Sequence, residues 1–166
     1  MKIVYLLFLL AVISTLSLKA QTEPALPSVC INNGINSKNN MTVAGNTTFT
    51  FSTLGSFDAT ASSNAITVTI ASSQRYRLYI AGVMTAITAS STNTPIPINT
   101  FTIASTNRGT SPATVTLSNS YLEVAQYFTS TTSRSHTLTI TRNILNTFVQ
   151  EPGNHTLTLH IRYCQY

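Results

Sequence analysis

The side chains that could carry out chemistry are few and lie far apart in the sequence. The chain contains three histidines, two cysteines and four acidic residues. His155 and His160 belong to one alternating segment at an odd spacing, so a strand would point them to opposite faces, where they cannot share a metal ion. His160 and Cys164 would share a face, but about 13 Å would separate them on a strand that rises about 3.3 Å per residue. The spacing argues against a zinc site, and we expect no metal or cofactor.

A catalytic site of another kind also finds little support. Asp58 could join a serine and a histidine in three dimensions, but Gly55-Ser56 lacks the second glycine of a nucleophile elbow. Glycoside hydrolysis requires two positioned carboxylates. The chain offers only Glu23, Asp58, Glu123 and Glu151. We therefore expect no enzymatic activity.

One small group of residues has binding character. In the alternating segment 75–80, Arg75, Arg77 and Tyr79 fall on one face. Guanidinium forks and an aromatic side chain with a polar tip suit contacts with carboxylates or sugars. The competing interpretation is a solvated sheet face whose arginines have partners on neighbouring strands.

Residues 1–20 have the pattern of a secretory signal peptide. Lys2 precedes an apolar run, and Ala20 supplies the small residue before a cleavage site at Gln21. The run of about sixteen residues is shorter than the roughly twenty that span a bilayer as a helix. We expect cleavage and a mature chain without a transmembrane anchor, which is extracellular, on the cell surface or in the periplasm.

Charged residues make up only 8% of the chain, against about 25% in ordinary globular proteins. Cleavage would remove Lys2 and Lys19 and leave seven basic and four acidic residues, a net charge of +3. Nucleic-acid binding needs Lys and Arg clustered along one face. The basic residues are scattered along this sequence, so we expect no nucleic-acid partner.

The mature sequence alternates between apolar and polar residues, as strands buried on one face do. The alternating segments are 48–51, 65–70, 75–80, 101–104, 113–117, 136–141 and 153–164. The spacing predicts an all-β protein, an antiparallel immunoglobulin-like β-sandwich of about seven or eight strands. It would follow an extended lead-in, 21–29, and occupy one domain, 30–166. Residues 121–128 are the one candidate helix, because four of them match its period.

The last segment, 153–164, is predicted to close the sandwich beside segment 136–141. The inward phase of these two segments predicts five core residues, which are Leu138, Ile140, Leu157, Leu159 and Ile161. Cys30 and Cys164 are an even pair in an exported chain, so a disulfide that ties the first strand to the last is expected. The alternative is that each cysteine bonds another protomer and builds a polymer.

The Thr-rich alternating strands, the Leu117-Ser118 turn and the closing pattern Pro152-Gly153-x-His155-x-x-x-Leu159 resemble bacterial pilin-like and spore-coat-U-like sandwiches. The resemblance implies an immunoglobulin-like surface protein that assembles into fimbriae or coats, with itself or other surface-protein subunits. We therefore expect a secreted, non-catalytic structural or adhesive protein. The alternative is an extracellular carbohydrate-binding module with glycan partners, although the chain has no Trp to stack on a sugar.

Overall fold

The computed structural model describes residues 23–31, 40–51, 65–72, 74–88, 95–127, 131–142 and 153–165. The predicted signal peptide, 1–20, lies outside these ranges. The described residues form mainly β-strands in two antiparallel sheets, which confirms the predicted all-β sandwich. Within them, no helix is long and apolar enough to cross a membrane.

A one-turn helix, nine strands and a 3₁₀ turn make up the described part of the fold. In chain order they are α1 (Ser28–Ile31), β1 (Asn40–Ala44), β2 (Thr48–Phe51), β3 (Ile66–Ser72), β4 (Tyr76–Thr88), the 3₁₀ turn (Ile98–Thr100), β5 (Phe101–Ser105), β6 (Thr114–Thr116), β7 (Leu122–Tyr127), β8 (Thr131–Arg142) and β9 (Gly153–Gln165). One sheet has the order β1-β3-β8-β5-β6, and the other has the order β2-β9-β4-β7.

The core lies between the two sheets, where the alternating residues of both point inward. β3 alternates strictly, with its Ile, Val and Ser side chains buried and its Thr and Ala side chains only partly so. The five predicted core residues are all buried: Leu138, Ile140, Leu157, Leu159 and Ile161. Contacts such as the 5.5 Å approach of the Phe51 and Phe101 rings join the sheets across this core. The predicted inward phase of β8 and β9 is therefore confirmed.

The predicted pairing of the last two strands is wrong. β8 belongs to the five-stranded sheet and β9 to the four-stranded sheet, so they face each other across the core. β9 pairs along its whole length with β4 and also pairs with β2. The closing strand is thus an inner strand of its sheet, and the disulfide at its end does not protect an edge.

The candidate helix at residues 121–128 is also a wrong prediction, because β7 occupies residues 122–127. Its register against β4 shifts between Leu78↔Ala125 and Tyr79↔Glu123, which leaves Val124 as the extra residue of a β-bulge. Val124 and Ala125 are consequently both buried. Two adjacent inward residues break the period of two and imitate the spacing of a short helix.

The expected disulfide between Cys30 and Cys164 is present within the chain, with the two Cα atoms 5.1 Å apart. Cys30 does not lie in a strand, however, as the sequence suggested. It lies in α1, where its backbone N–H donates to the carbonyl of Pro27 at 2.8 Å. The bond therefore ties a helical turn, and the lead-in before it, to the end of β9.

Candidate functional site

The predicted ligand residues Arg75, Arg77 and Tyr79 do not form one accessible surface. Arg75 lies just before β4 and is exposed. Arg77 points to the outer face of the four-stranded sheet, where its Nε lies 3.5 Å from Glu123 Oε2 on β7. Tyr79 is on the same face but only 6% exposed. A cross-strand ion pair is what the solvated-face interpretation expects, and Tyr79 offers little surface to a ligand.

The outer face of this sheet also carries the described part of the lead-in together with α1, which we call the N-terminal strap (residues 23–31). The strap is bonded to β9 by the disulfide and by an ion pair of 2.6 Å between Glu23 Oε1 and Arg162 Nη2. The Tyr121 hydroxyl donates to the same Glu23 oxygen at 2.7 Å. The hydrogen bond from Tyr121 and the charge of Arg162 hold the pKa of Glu23 below its usual value, against the opposing effect of desolvation.

A polar and aromatic cluster closes the end of the core at which β4 and β8 begin. Tyr76 on β4 and His136 on β8 are both fully buried, and Tyr76 Oη lies 2.8 Å from His136 Nε2. The Tyr127 ring at the end of β7 packs 5.6 Å from the Tyr76 ring and 5.7 Å from the imidazole. The Arg134 guanidinium lies 3.9 Å above the Tyr127 ring, at the distance of a cation–π contact. These four residues join the two sheets.

Burial keeps both partners of the Tyr76–His136 hydrogen bond neutral. Desolvation raises the pKa of Tyr76 to about 12. Desolvation, assisted by the nearby charge of Arg134, lowers the pKa of His136. Because Tyr76 keeps its proton, its hydroxyl can donate to Nε2 of a neutral imidazole. The buried Nδ1 lies near the backbone of Thr106 and Asn107, which opposes the lowering of the His136 pKa in part.

A tightly bonded loop, residues 106–111, covers this end of the sandwich. Asn107 has a positive φ of 50°, and its side-chain amide donates to the carbonyl of Ser135 at 2.8 Å. The Tyr127 hydroxyl donates to the carbonyl of Asn107. Gly109 has a φ of 64° and lies so close to β7 that an added Cβ would be 1.9 Å from the carbonyl oxygen of Gln126. The loop is therefore held in one position against β7 and β8.

Two further contacts join the loop to β7 through side chains. The Ser111 hydroxyl donates to Glu123 Oε1 at 2.7 Å, and Ser111 itself is buried. The Arg108 guanidinium donates to the carbonyl of Ser111 at 2.6 Å while the residue stays exposed. Glu123 is thus shared between the loop and Arg77, and it couples the outer face of the sheet to the end of the sandwich.

This arrangement holds the side chains of Arg108 and Arg134 at one end of the sandwich. The neutral His136, hydrogen-bonded to a tyrosine of raised pKa, is a weak proton acceptor that is closed off from solvent. Within the described ranges, no group of three or more His, Cys, Asp or Glu side chains could hold a metal ion. The carboxylates of Glu23 and Glu123 each have an arginine partner.

Sequence reasoning missed Arg108 and Arg134. The signal for Arg134 was present, because it shares the inward phase of His136, Leu138 and Ile140 on β8. A cationic residue that precedes a row of inward-facing residues on a strand needs an aromatic or charged partner at the end of the core. No such signal marks Arg108, because its position depends on how the loop folds back onto β7.

Acid is expected to weaken the fold through His136. Its pKa is lower in the folded protein than the ordinary value of 6.5, so the unfolded chain binds more protons as the pH falls. The stabilisation is complete above about pH 6.5 and decreases as the pH drops below this value. Urea unfolding at pH 7.5 and pH 5.5 should show a lower midpoint at the lower pH.

The variant His136→Gln provides the control, because Gln can still accept from Tyr76 but does not titrate. Its midpoint should change less between the two pH values than that of the wild type. Glu23, whose pKa is also lowered, keeps its full contribution to stability at both pH values and loses it only below about pH 4.5, so it does not interfere. An equal pH effect in the wild type and the variant would contradict the assignment to His136.

No protein-family model matches the chain, and no curated protein or solved structure matches it either.

Proposed function

We propose that this protein is a secreted, non-catalytic β-sandwich with a structural or adhesive role, and that it is a subunit of a bacterial surface assembly such as a fimbria or a coat. The sequence pattern of an export signal supports this proposal. A disulfide within the chain is compatible with it, because such bonds persist in oxidising compartments outside the cytoplasm.

The observation that carries the assembly role is the edge strand β1. It pairs with β3 on one side, and no described residue pairs with its other side. Proteins that remain monomeric protect such edges with charged residues, Pro or bulges. The strand sequence NMTVA has none of these, its register with β3 is regular, and Val43 is 39% exposed. An edge of this kind favours pairing with a strand of a second subunit.

The N-terminal strap supports the same role in another way. Its covalent and ionic attachments to β9 fasten the start of the domain to an inner strand. Pulling on the strap therefore loads a strand that is paired on both sides. A subunit that transmits force along an assembly needs this kind of connection.

Placing a charge on β1 is expected to reduce assembly. Val43 lies opposite the buried Val68, so its side chain points toward the core side of the sheet at the open edge. The variant Val43→Lys places an inward-pointing charge there, which is a natural device against edge pairing. We expect the wild-type mature protein to form oligomers in light scattering after size exclusion, and Val43→Lys to shift them towards monomer.

Thr50→Lys is the matched control. Thr50 is an exposed residue of β2, the edge strand of the other sheet, so the variant has the same added charge and a different location. It should leave the oligomers intact. A wild-type protein that is monomeric at all concentrations, with and without reductant, would contradict the assembly role.

A further inference from the structure

The arginines that are scattered in the sequence are gathered at one end of the sandwich. Arg75 directly precedes Tyr76, which pairs with Tyr127 at the end of β7. Arg134 lies over the ring of that same tyrosine. The backbone N–H of the preceding residue, Gln126, donates to the carbonyl of Arg108 at 3.0 Å. We call Arg75, Arg108 and Arg134 the arginine end of the sandwich.

The charge of the arginine end is not balanced by acids in the described part of the chain. Glu123 is the acidic residue near it, and its ion pair is with Arg77. Glu23, the other described acid, pairs with Arg162 on the outer face of the sheet. Thus Arg75, Arg108 and Arg134 have no carboxylate within ion-pair distance among the residues that the structure describes. Arg75 and Arg108 are exposed and Arg134 is half-buried, in a protein in which charged residues are scarce.

Arg134 is held in place without an anion. Its guanidinium stacks on Tyr127, and its Nε is buried without a hydrogen-bond partner in the described structure. Stacking on the ring fixes this guanidinium, and its charge, which no described carboxylate pairs with, favours an added oxyanion. Arg108, oriented by its bond to the carbonyl of Ser111, is similarly fixed and exposed. Fixed guanidinium groups bind carboxylate or sulfate with little loss of side-chain entropy.

We propose that the arginine end is a binding site for an acidic polysaccharide, whose carboxylate or sulfate groups pair with Arg75, Arg108 and Arg134. Neutral hydrogen-bonding groups that suit sugar hydroxyls lie nearby, namely the exposed side chain of Gln74 and the exposed Thr110, whose hydroxyl donates to Gln126 Oε1 at 3.2 Å. The proposed binding does not rely on stacking of a sugar on an aromatic ring, since Arg134 lies over the Tyr127 ring. Recognition is electrostatic and polar, so neutral glycans bind poorly.

Other anionic partners fit these features less well. Three arginines are few for nucleic acid, which requires an extended basic face. Anionic membranes are bound by larger basic clusters, usually beside inserting apolar side chains. The described exposed large apolar residues are Leu26 and Val43, one on the strap and one on the edge strand β1. An exported protein also meets acidic polysaccharides at cell surfaces and in extracellular matrices.

Binding of the mature protein to polygalacturonate and dextran sulfate, with neutral dextran as a reference, tests the proposal. Biolayer interferometry at low salt should show binding to the two acidic polymers and none to dextran. Raising the NaCl concentration to about 0.3 M should weaken binding by about tenfold or more, because exposed ion pairs are screened. Arg75→Gln and Arg108→Gln should each weaken binding by about fivefold.

Arg162→Gln is the matched control, since it removes the same charge from the outer face of the sheet. It should leave binding within about twofold of the wild type. Equal losses in all three variants would show an effect of net charge alone and overturn the site. Absence of binding to both acidic polymers, equal binding to dextran, or binding only to RNA or to vesicles containing phosphatidylserine would overturn it as well.

This site is independent of the proposed assembly role. β3 separates β1 from β8, and Val43→Lys removes none of the three arginines, so this variant should keep polygalacturonate binding within about twofold of the wild type. A protein that is monomeric but binds the acidic polymers would contradict assembly and support the site. A protein that assembles but does not bind the acidic polymers would support assembly and contradict the site.

Discussion

Replacing both Cys30 and Cys164 with alanine is expected to lower the free energy of unfolding by about 4–5 kcal/mol. The two cysteines are separated by 134 positions in the sequence, so the bond removes much of the conformational freedom of the unfolded chain. Loop closure of this length is worth about 4.7 kcal/mol or slightly more on the chain-entropy model. The loss is comparable to the whole stability of many domains. Urea unfolding followed by tyrosine fluorescence measures it.

The wild type in the presence of reductant is the control for the double variant, because it loses the bond and keeps both side-chain positions. Both samples should unfold at similar urea concentrations, well below the oxidised wild type. On a non-reducing gel, the oxidised wild type should run as a monomer that migrates faster than its reduced form. Ladders that collapse with reductant would contradict the intramolecular bond.

Alternation predicted the strands that are buried on one face. Buried and half-buried residues alternate without a break in β3, in residues 136–142 of β8 and in residues 155–161 of β9, as the sequence pattern predicted. The same rule missed β1, because a strand of five residues at an edge buries little. Its inward residue Val43 remains 39% exposed.

Strand pairing could not be predicted from the same information. Alternation defines which side of a strand is apolar, but a strand with one apolar side can belong to either sheet of a sandwich. β8 and β9 are consecutive in the chain, yet they belong to different sheets. The bulge at Val124 was equally hidden, because its only trace in sequence is an apolar pair that also fits a helix.

The candidate site shows a second limit of prediction from sequence. Arg75 was found because it adjoins a clear strand, but its partners come from distant segments. Arg134 is brought to Tyr127 by the packing of one sheet on the other, and Arg108 by a loop with positive φ at Asn107 and Gly109. Because such a cluster depends on tertiary structure, no short sequence motif identifies it.

Truncation of a core residue on β9 is expected to have the second large effect. Leu159 is 5% exposed and lies opposite Gly82 of β4 on the inward face of the sheet. Leu159→Ala removes buried methyl groups and leaves a cavity that the surrounding sheets can fill only in part. The free energy of unfolding should fall by about 2–5 kcal/mol, measured by urea unfolding of the oxidised protein.

The adjacent residue provides a control that separates the inward face of β9 from its outward face. Thr158 points outward and is half-buried, so Thr158→Ala should cost no more than about 1 kcal/mol, the span of strand propensities. The two residues are adjacent on the same strand, and both are replaced by alanine. A loss below about 0.5 kcal/mol for Leu159→Ala, with a larger loss for Thr158→Ala, would mean that the two faces of β9 are assigned the wrong way round. The expected order, with Leu159→Ala the more damaging, follows because apolar burial between the sheets stabilises this fold far more than its Thr-rich surface does.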